Sequence, residues 1–463
     1  MELNYWIHEN KIIFKPEFND KLDNYINIIS KYSELIFSNY DYDAIKTNDK
    51  YCNEYKKYKP SNFNQQITIP ENITHLTFGE KFNQQVIIPQ SITHLIFGFY
   101  FNQQITIPQS VTHLFFGHHF NQPVIIPLNV TYLTFGCNFN QEVIIPENVT
   151  YLIFGFYFNQ QVIIPSNVTH LIFGNEFNQP VIIPENVAHL TFYDNFNQLV
   201  TIPESVTHLT FGYHFNQQVI IPSNVTHLIF GNEFNQQVII PENVTHLTFG
   251  CDFNQQVIIP ENVTHLTFGK QFDQQVIIPK NITHLTFGYW FSKQVIIPQN
   301  VTHLIFGKVF NQQVIIPQNV THLTFGDHFD QQVIIPQNVT HLFFGYYFNQ
   351  QINLLNVKSI KLDCNNINII ENLPNSVEEI EFGAYFNLEL QNLPNSIKKI
   401  SFHSYSNYDK ELNCLPEFVE YLKLSKKYIK KINKFPLNLK TIECNKQYIY
   451  IDDFKDKFDI VFL

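Results

Sequence analysis

Apolar positions along this chain recur in a fixed 19-residue frame. The repeat reads FNQQVIIPENVTHLTFGKQ from Phe253 to Gln271, and its Phe anchor returns from Phe63, Phe82 and Phe101 through to Phe348. That makes fifteen complete repeats without an insertion or deletion. In VTHLTF the alternation of Leu266 inward, Thr267 outward and Phe268 inward has the two-residue period of a strand. β-branched and aromatic residues fill it, as a pleated surface prefers. Gly269 follows, in a slot that is Gly in 14 of 15 repeats with Tyr193 as the exception. A glycine there is expected to allow a left-handed turn out of the strand. The Pro260 slot is Pro in all fifteen repeats and, lacking a donor, should mark a bend. Val257, Ile258 and Ile259 form a second short extended run.

One repeat is thus two extended segments joined by two bends, too small to bury its own Phe, Leu and Ile. Stacked copies can bury them against one another. The expected fold is mainly β: a solenoid of about 20 short coils with a parallel sheet on one face and little helix. A parallel β-helix is the other architecture the pattern allows. The Asn after the anchor is Asn in 12 of 15 repeats, replaced by Asp273, Ser292 and Asp330. It is expected to form an internal ladder that satisfies turn amides.

The FN…IP pattern resembles the FNIP repeats, which are found in amoebae and in the large viruses that infect them and are regarded as relatives of leucine-rich repeats. That resemblance implies a leucine-rich-repeat-like solenoid. The stretch Val357-Lys-Ser-Ile360-Lys-Leu362-Asp-Cys-Asn365-Asn-Ile367 fits the leucine-rich spacing as well. Val419, Leu422, Leu424 and Ile429 repeat its apolar part, as do Leu439, Ile442, Cys444 and Ile449. Three segments follow: an irregular cap over 1–60, fifteen regular repeats over 61–347, and degenerate repeats with a C-terminal cap over 348–463. Within 1–60, Tyr25–Phe37 could be a worn repeat. The stretch Leu35-Ile-Phe-Ser38, Tyr42-Asp43 and Tyr51-Cys52-Asn-Glu-Tyr55 resembles the later half of an F-box, a degenerate one. Such a motif would imply a substrate-recruiting adaptor of a ubiquitin ligase.

Composition narrows the function. The net charge is −11 with only 15% charged residues, which argues against a nucleic-acid partner. No apolar run approaches the ~18 residues a membrane span requires, so no membrane association is expected. The six scattered Cys suggest a reducing compartment: the cytoplasm, or the host cytoplasm if the chain is viral. The repeats offer no phosphate loop, no paired-carboxylate pocket and no Cys/His pair outside repeat slots. A non-enzymatic protein without cofactor or metal is therefore expected, as a monomer.

Histidine fills 13 of the 15 slots before the strand Leu, with Tyr132 and Tyr151 in the others. Stacked at ~4.8 Å these rings form a surface ladder, and crowding predicts imidazole pKa values below the usual ~6.5. The other slots are nearly copied, while the two residues before each anchor range widely. The aromatic and imidazole members there are Phe99, Tyr100, His118, His119, Phe156, Tyr157, Tyr213, His214, Tyr289, Trp290, Tyr346 and Tyr347. Exposed aromatics at the exit of a strand suit a contact surface. The expected function is a protein–protein interaction scaffold with an unknown protein partner, the host ubiquitin machinery being one candidate.

Overall fold

Within each body, the VTHLTF segments form three- or four-residue strands that pair in parallel with the same segment of the next repeat. The computed structural model describes residues 3–40 and 58–463, in two bodies, Met1–Gly231 and Asn232–Leu463. Strands are numbered in chain order. The N-terminal body opens with an antiparallel hairpin of β1 (Tyr5–His8) and β2 (Lys11–Phe14). From β2 onward pairing is parallel, through β3 (Glu34–Phe37) and β4 (His75–Thr77) to β12 (His227–Ile229). The C-terminal body runs in parallel from β13 (His246–Thr248) to β24 (Asp459–Phe462). Counted from β2, that is eleven parallel strands in the first body and twelve in the second, a few more than the coil number expected. The described helices are short, such as α1 (Ile26–Ile29) and α2 (Ile367–Glu371).

Register is kept to the residue: Leu95 faces Leu76 and Leu285 faces Leu266. Anchor Phe, strand Leu, strand-end Phe and the Val or Ile before the strand are all buried. Anchor rings stack at 5.9–6.2 Å from coil to coil in both bodies. Phe78 and Phe82, joining the two aromatic layers, lie 4.1 Å apart. The Asn ladder forms as expected: each Asn Oδ1 accepts the backbone N–H 19 residues on, at 2.9 Å for Asn64 and 3.0 Å for Asn235. The Pro carbonyl accepts from the amide three residues later, closing the bend, as in Ile73 to Pro70 at 3.1 Å.

Four expectations change. First, none of the described glycines has positive φ. The slot needs glycine for room instead, because a Cβ on Gly98 would overlap the carbonyl of Gly79, and one on Gly269 that of Gly250. Second, the Val-Ile-Ile run is no second strand, so one sheet runs through the coils of each body and the parallel β-helix alternative falls. Third, the middle residue of that run is not core. Ile258 is 88% exposed while Ile259 is 6% exposed. A core slot would not accept the Thr68, Thr106 and Thr201 found there. Fourth, Ile367, Ile429 and Ile449 are exposed, although the leucine-rich spacing pointed them inward. Tyr428 and Tyr448, one residue earlier, are buried instead and extend the ring stack from Phe386 and Tyr408 at 6.1–6.2 Å. An aromatic fills the anchor cavity that an aliphatic side chain would leave partly empty.

Two neighbouring substitutions separate core from surface. Phe253→Ala should cost ~3–5 kcal/mol through the cavity it leaves, whereas Ile258→Thr should stay within ~0.5 kcal/mol. Urea unfolding of both variants tests this, and equal losses would refute the assignment.

Candidate functional site

The two variable residues of each repeat form a turn directly after the strand. The hydrogen bond that recurs from coil to coil is backbone to backbone: the second residue of a pair donates its N–H to the carbonyl of the first residue of the preceding pair. Tyr100 bonds Glu80 in this way at 3.0 Å, His119 bonds Phe99 at 2.9 Å, and Trp290 bonds Lys270 at 2.9 Å. Any side chain therefore fits, and the row of turns makes a rim whose chemistry can vary from coil to coil without disturbing the stack.

Most of the expected rim aromatics are exposed, from 39% at Phe156 to 55% at Tyr347, while His118, His119 and Tyr289 are half-buried. They gather in local groups. In the N-terminal body Phe99 stacks on His118 at 4.3 Å and Tyr100 on His119 at 5.1 Å. Phe156 with Tyr157 and Tyr213 with His214 form two further edge-on pairs, both at 4.8 Å. Between these pairs lies a hollow of about 380 Å³ lined by Phe156, Asn175, Glu176, Asp194, Asn195, Tyr213 and His214. In the C-terminal body Tyr289 pairs with Trp290 at 4.8 Å, and Lys270 and Lys308 each lie 5.5 Å from the Tyr289 ring. Tyr346 and Tyr347 are joined by Tyr385, 4.9 Å from Tyr346. Reasoning from the regular repeats overlooked Tyr385, although it directly precedes the worn anchor Phe386. It also passed over the amide and carboxylate pairs of the hollow, because they are not aromatic.

The imidazole ladder lies on the outward face of the strands, half-buried. Ring centroids repeat at 4.0 Å for His75 and His94 and 4.3 Å for His265 and His284. That is shorter than the anchor spacing, so within each body the coils fan open away from the strand face. The Thr hydroxyl before the strand donates to a backbone carbonyl of the preceding coil, as Thr93 does to Thr74 at 3.1 Å. Its oxygen is then left to accept from Nδ1–H of the next residue, His94, at 2.9 Å. In that tautomer Nε2 is left unprotonated. Burial lowers the pKa of His94, His113, His170, His303 and His322, and neighbouring imidazoles lower them further. Stacking thus depresses these groups first by excluding water and only second by charge repulsion. Glu34 opposes the shift at His94. Desolvation and the hydrogen bond with Tyr151 push half-buried Tyr132 up to about 12, and this tyrosine pair divides the imidazole ladder of the N-terminal body. Among the described residues no group of three or more His, Cys, Asp or Glu could hold a metal ion, and no helix is long and apolar enough to cross a membrane.

Comparison with known proteins agrees with this geometry. The FNIP repeat model matches residues 63–335 without a break and 364–405 again, more than half of the chain. No curated protein matches. Among solved structures, the crystal structure of CroV588, described as a novel circular LRR protein, covers 100% of both chains at 28% identity and a TM-score of 0.57. A leucine-rich repeat protein from Bacteroides ovatus ATCC 8483 covers 68% of this chain and 88% of its own at 15% identity, with a TM-score of 0.19 too low to carry an argument. The fold is leucine-rich-repeat-like, as the repeat pattern implied.

The lowered imidazole pKa values make stability pH-dependent. The folded state disfavours charging His94, His113, His170, His303 and His322, so the stability they contribute is complete above the ordinary His value of ~6.5 and is lost as pH falls through the lower folded values. The melting temperature should drop between pH 7 and pH 5, and less so in His303→Tyr/His322→Tyr. A profile that stays flat, or identical slopes for the two proteins, would count against the ladder as the source.

Proposed function

The chain belongs to the FNIP repeat family, and from that premise we propose that it is a non-enzymatic scaffold that binds a partner protein through the variable rim of its coils. The support is a division of labour within the repeat. Anchor Phe, strand Leu and Phe, and the residue before the strand are buried, while Asn and Pro are committed to turns. The recurring bond of the rim is made by backbone, and large aromatic side chains of the rim stay in water. Aromatic residues held by a rigid scaffold contribute contact area at low entropic cost and are enriched at binding hot spots.

A substrate-recruiting adaptor acting through a degenerate F-box has less in its favour. Leu35–Phe37 of that stretch is strand β3, with Leu35 and Phe37 in the core. Tyr42, Asp43 and Tyr51–Tyr55 lie outside the described residues.

Replacing Phe99, Tyr100, Phe156, Tyr157, Tyr289 and Trp290 together by Ala should leave the fold intact and weaken capture of partner proteins at least ~10-fold. Quantitative affinity capture from host-cell extract, with melting temperature as the folding control, measures this. An unchanged partner profile would refute the rim as the binding surface. Capture of a ubiquitin-ligase core that survives the replacement and depends on Tyr51–Tyr55 would support the adaptor instead.

A further inference from the structure

The hollow between Phe156 and Tyr213 differs in chemistry from the rest of the rim. Its floor is a reciprocal lattice of amides and carboxylates. Asn175 Nδ2 donates to Asp194 Oδ2 at 2.6 Å, and Asn195 Nδ2 donates to Glu176 Oε2 at 2.7 Å. Each carboxylate is thereby held in one orientation with lone pairs to spare. Neither Glu176 nor Asp194 has a cationic partner among the described residues, whereas the rim carboxylate of Asp327 is paired with Lys308 at 2.8 Å. No such partner is near in sequence. From Phe82 to Gly269 the chain contains no Lys or Arg and ten Asp or Glu, against a net charge of −11 for all 463 residues.

We propose that this hollow is a docking site for an extended lysine- or arginine-bearing segment of a partner protein. The inference rests on the rim being the binding surface and names the chemistry that one part of it selects. The aromatic ends stand three coil steps apart. At 6.0–6.1 Å per step in the adjoining anchor stack, that is roughly 18 Å. An extended segment of about five or six residues spans this length at ~3.3 Å per residue. Its central cation would lie over Glu176 and Asp194, with neighbouring side chains on the faces of Phe156 and Tyr213, which favour cations or apolar groups. Orientation of the carboxylates before binding reduces the ordering cost, and the uniformly acidic surroundings steer a basic segment toward the site. A nucleic acid would be repelled by the same field.

The test uses the full chain and two fluorescein-labelled hexapeptides, one rich in Lys and Arg and one in which Glu replaces the basic residues. The basic probe should bind saturably, and less tightly as salt is raised. Glu176→Gln/Asp194→Asn should weaken it at least ~10-fold without changing the melting temperature, and Phe156→Ala/Tyr213→Ala should weaken it too. Tyr289→Ala/Trp290→Ala, in the other body, should leave it unchanged. Equal binding of the basic probe by the parent and Glu176→Gln/Asp194→Asn would overturn the site, as would equal binding of the acidic probe. Those outcomes leave the wider rim reading to its own capture experiment, whose failure would appear as unchanged native partners after aromatic replacement.

Discussion

Within each body, successive regular coils touch backbone to backbone at the glycine after the strand. There the next coil approaches so closely that a single methyl group would overlap a carbonyl oxygen. That approach sets the pitch on the strand side and allows one strand per coil to pair in strict register with the next. Once the pitch is set, identical side chains are forced into ladders. Phe stacks on Phe, His on His, and each Asn reaches the turn above it. In an ordinary globular core, shape complementarity must be found anew at each contact. Here it is solved once and copied, which is why fifteen repeats tolerate no insertion. Tyr193, the one non-glycine in the regular slot, keeps its ring at the surface, 46% exposed.

The same constraint separates the two sides of the coil. Strand-side imidazoles are pressed to 4.0–4.3 Å and lose water to one another, while anchor rings across the core keep about 6 Å. Farther out, the middle residue of the Val-Ile-Ile run stands in solvent with little help from its neighbours. A gradient of spacing across one coil thus accounts for the depressed histidines on one side and the isolated exposed isoleucines on the other. It also explains why the second extended run cannot become a sheet. Pro removes one donor, and backbones spaced for 6 Å ring stacking are too far apart for a ladder, which needs 4.7–4.9 Å.

Period, strand, core Leu and Phe, Asn ladder and Pro bend were all legible in the sequence, because each depends on contacts between equivalent residues one period apart. The errors share a different origin. The glycine was misjudged because its reason lies in the neighbouring coil, not in its own φ. Ile258 was misjudged because an apolar run was taken as core, although Thr at three equivalent positions signalled solvent. Ile429 and Ile449 were misplaced by one residue because the leucine-rich spacing was applied with an aliphatic end, where this chain buries Tyr428 and Tyr448. In the rim, aromatic residues were legible as variable. The bracing of Glu176 by Asn195 and of Asp194 by Asn175 was not, since it links different letters across a period.

A scaffold copied this faithfully can encode specificity only where the copy is free to vary without altering the pitch. The rim meets that condition because the hydrogen bond that joins its turns is made by backbone, whatever the side chain. The remaining freedom is charge, and the chain uses it unevenly. The 188 residues from Phe82 to Gly269 carry no Lys or Arg, while the worn C-terminal coils pair Lys with Glu from one coil to the next, as Lys398 with Glu378 and Lys440 with Glu420. Such surface pairs add little stability individually, but they neutralise the field around them. The repeats from Phe82 to Gly269 supply no Lys or Arg for such pairs. Like carboxylates along a stack repel and cost stability, so a stretch that retains them without Lys or Arg of its own is more readily understood if the opposite charge comes from a partner than as a requirement of the fold.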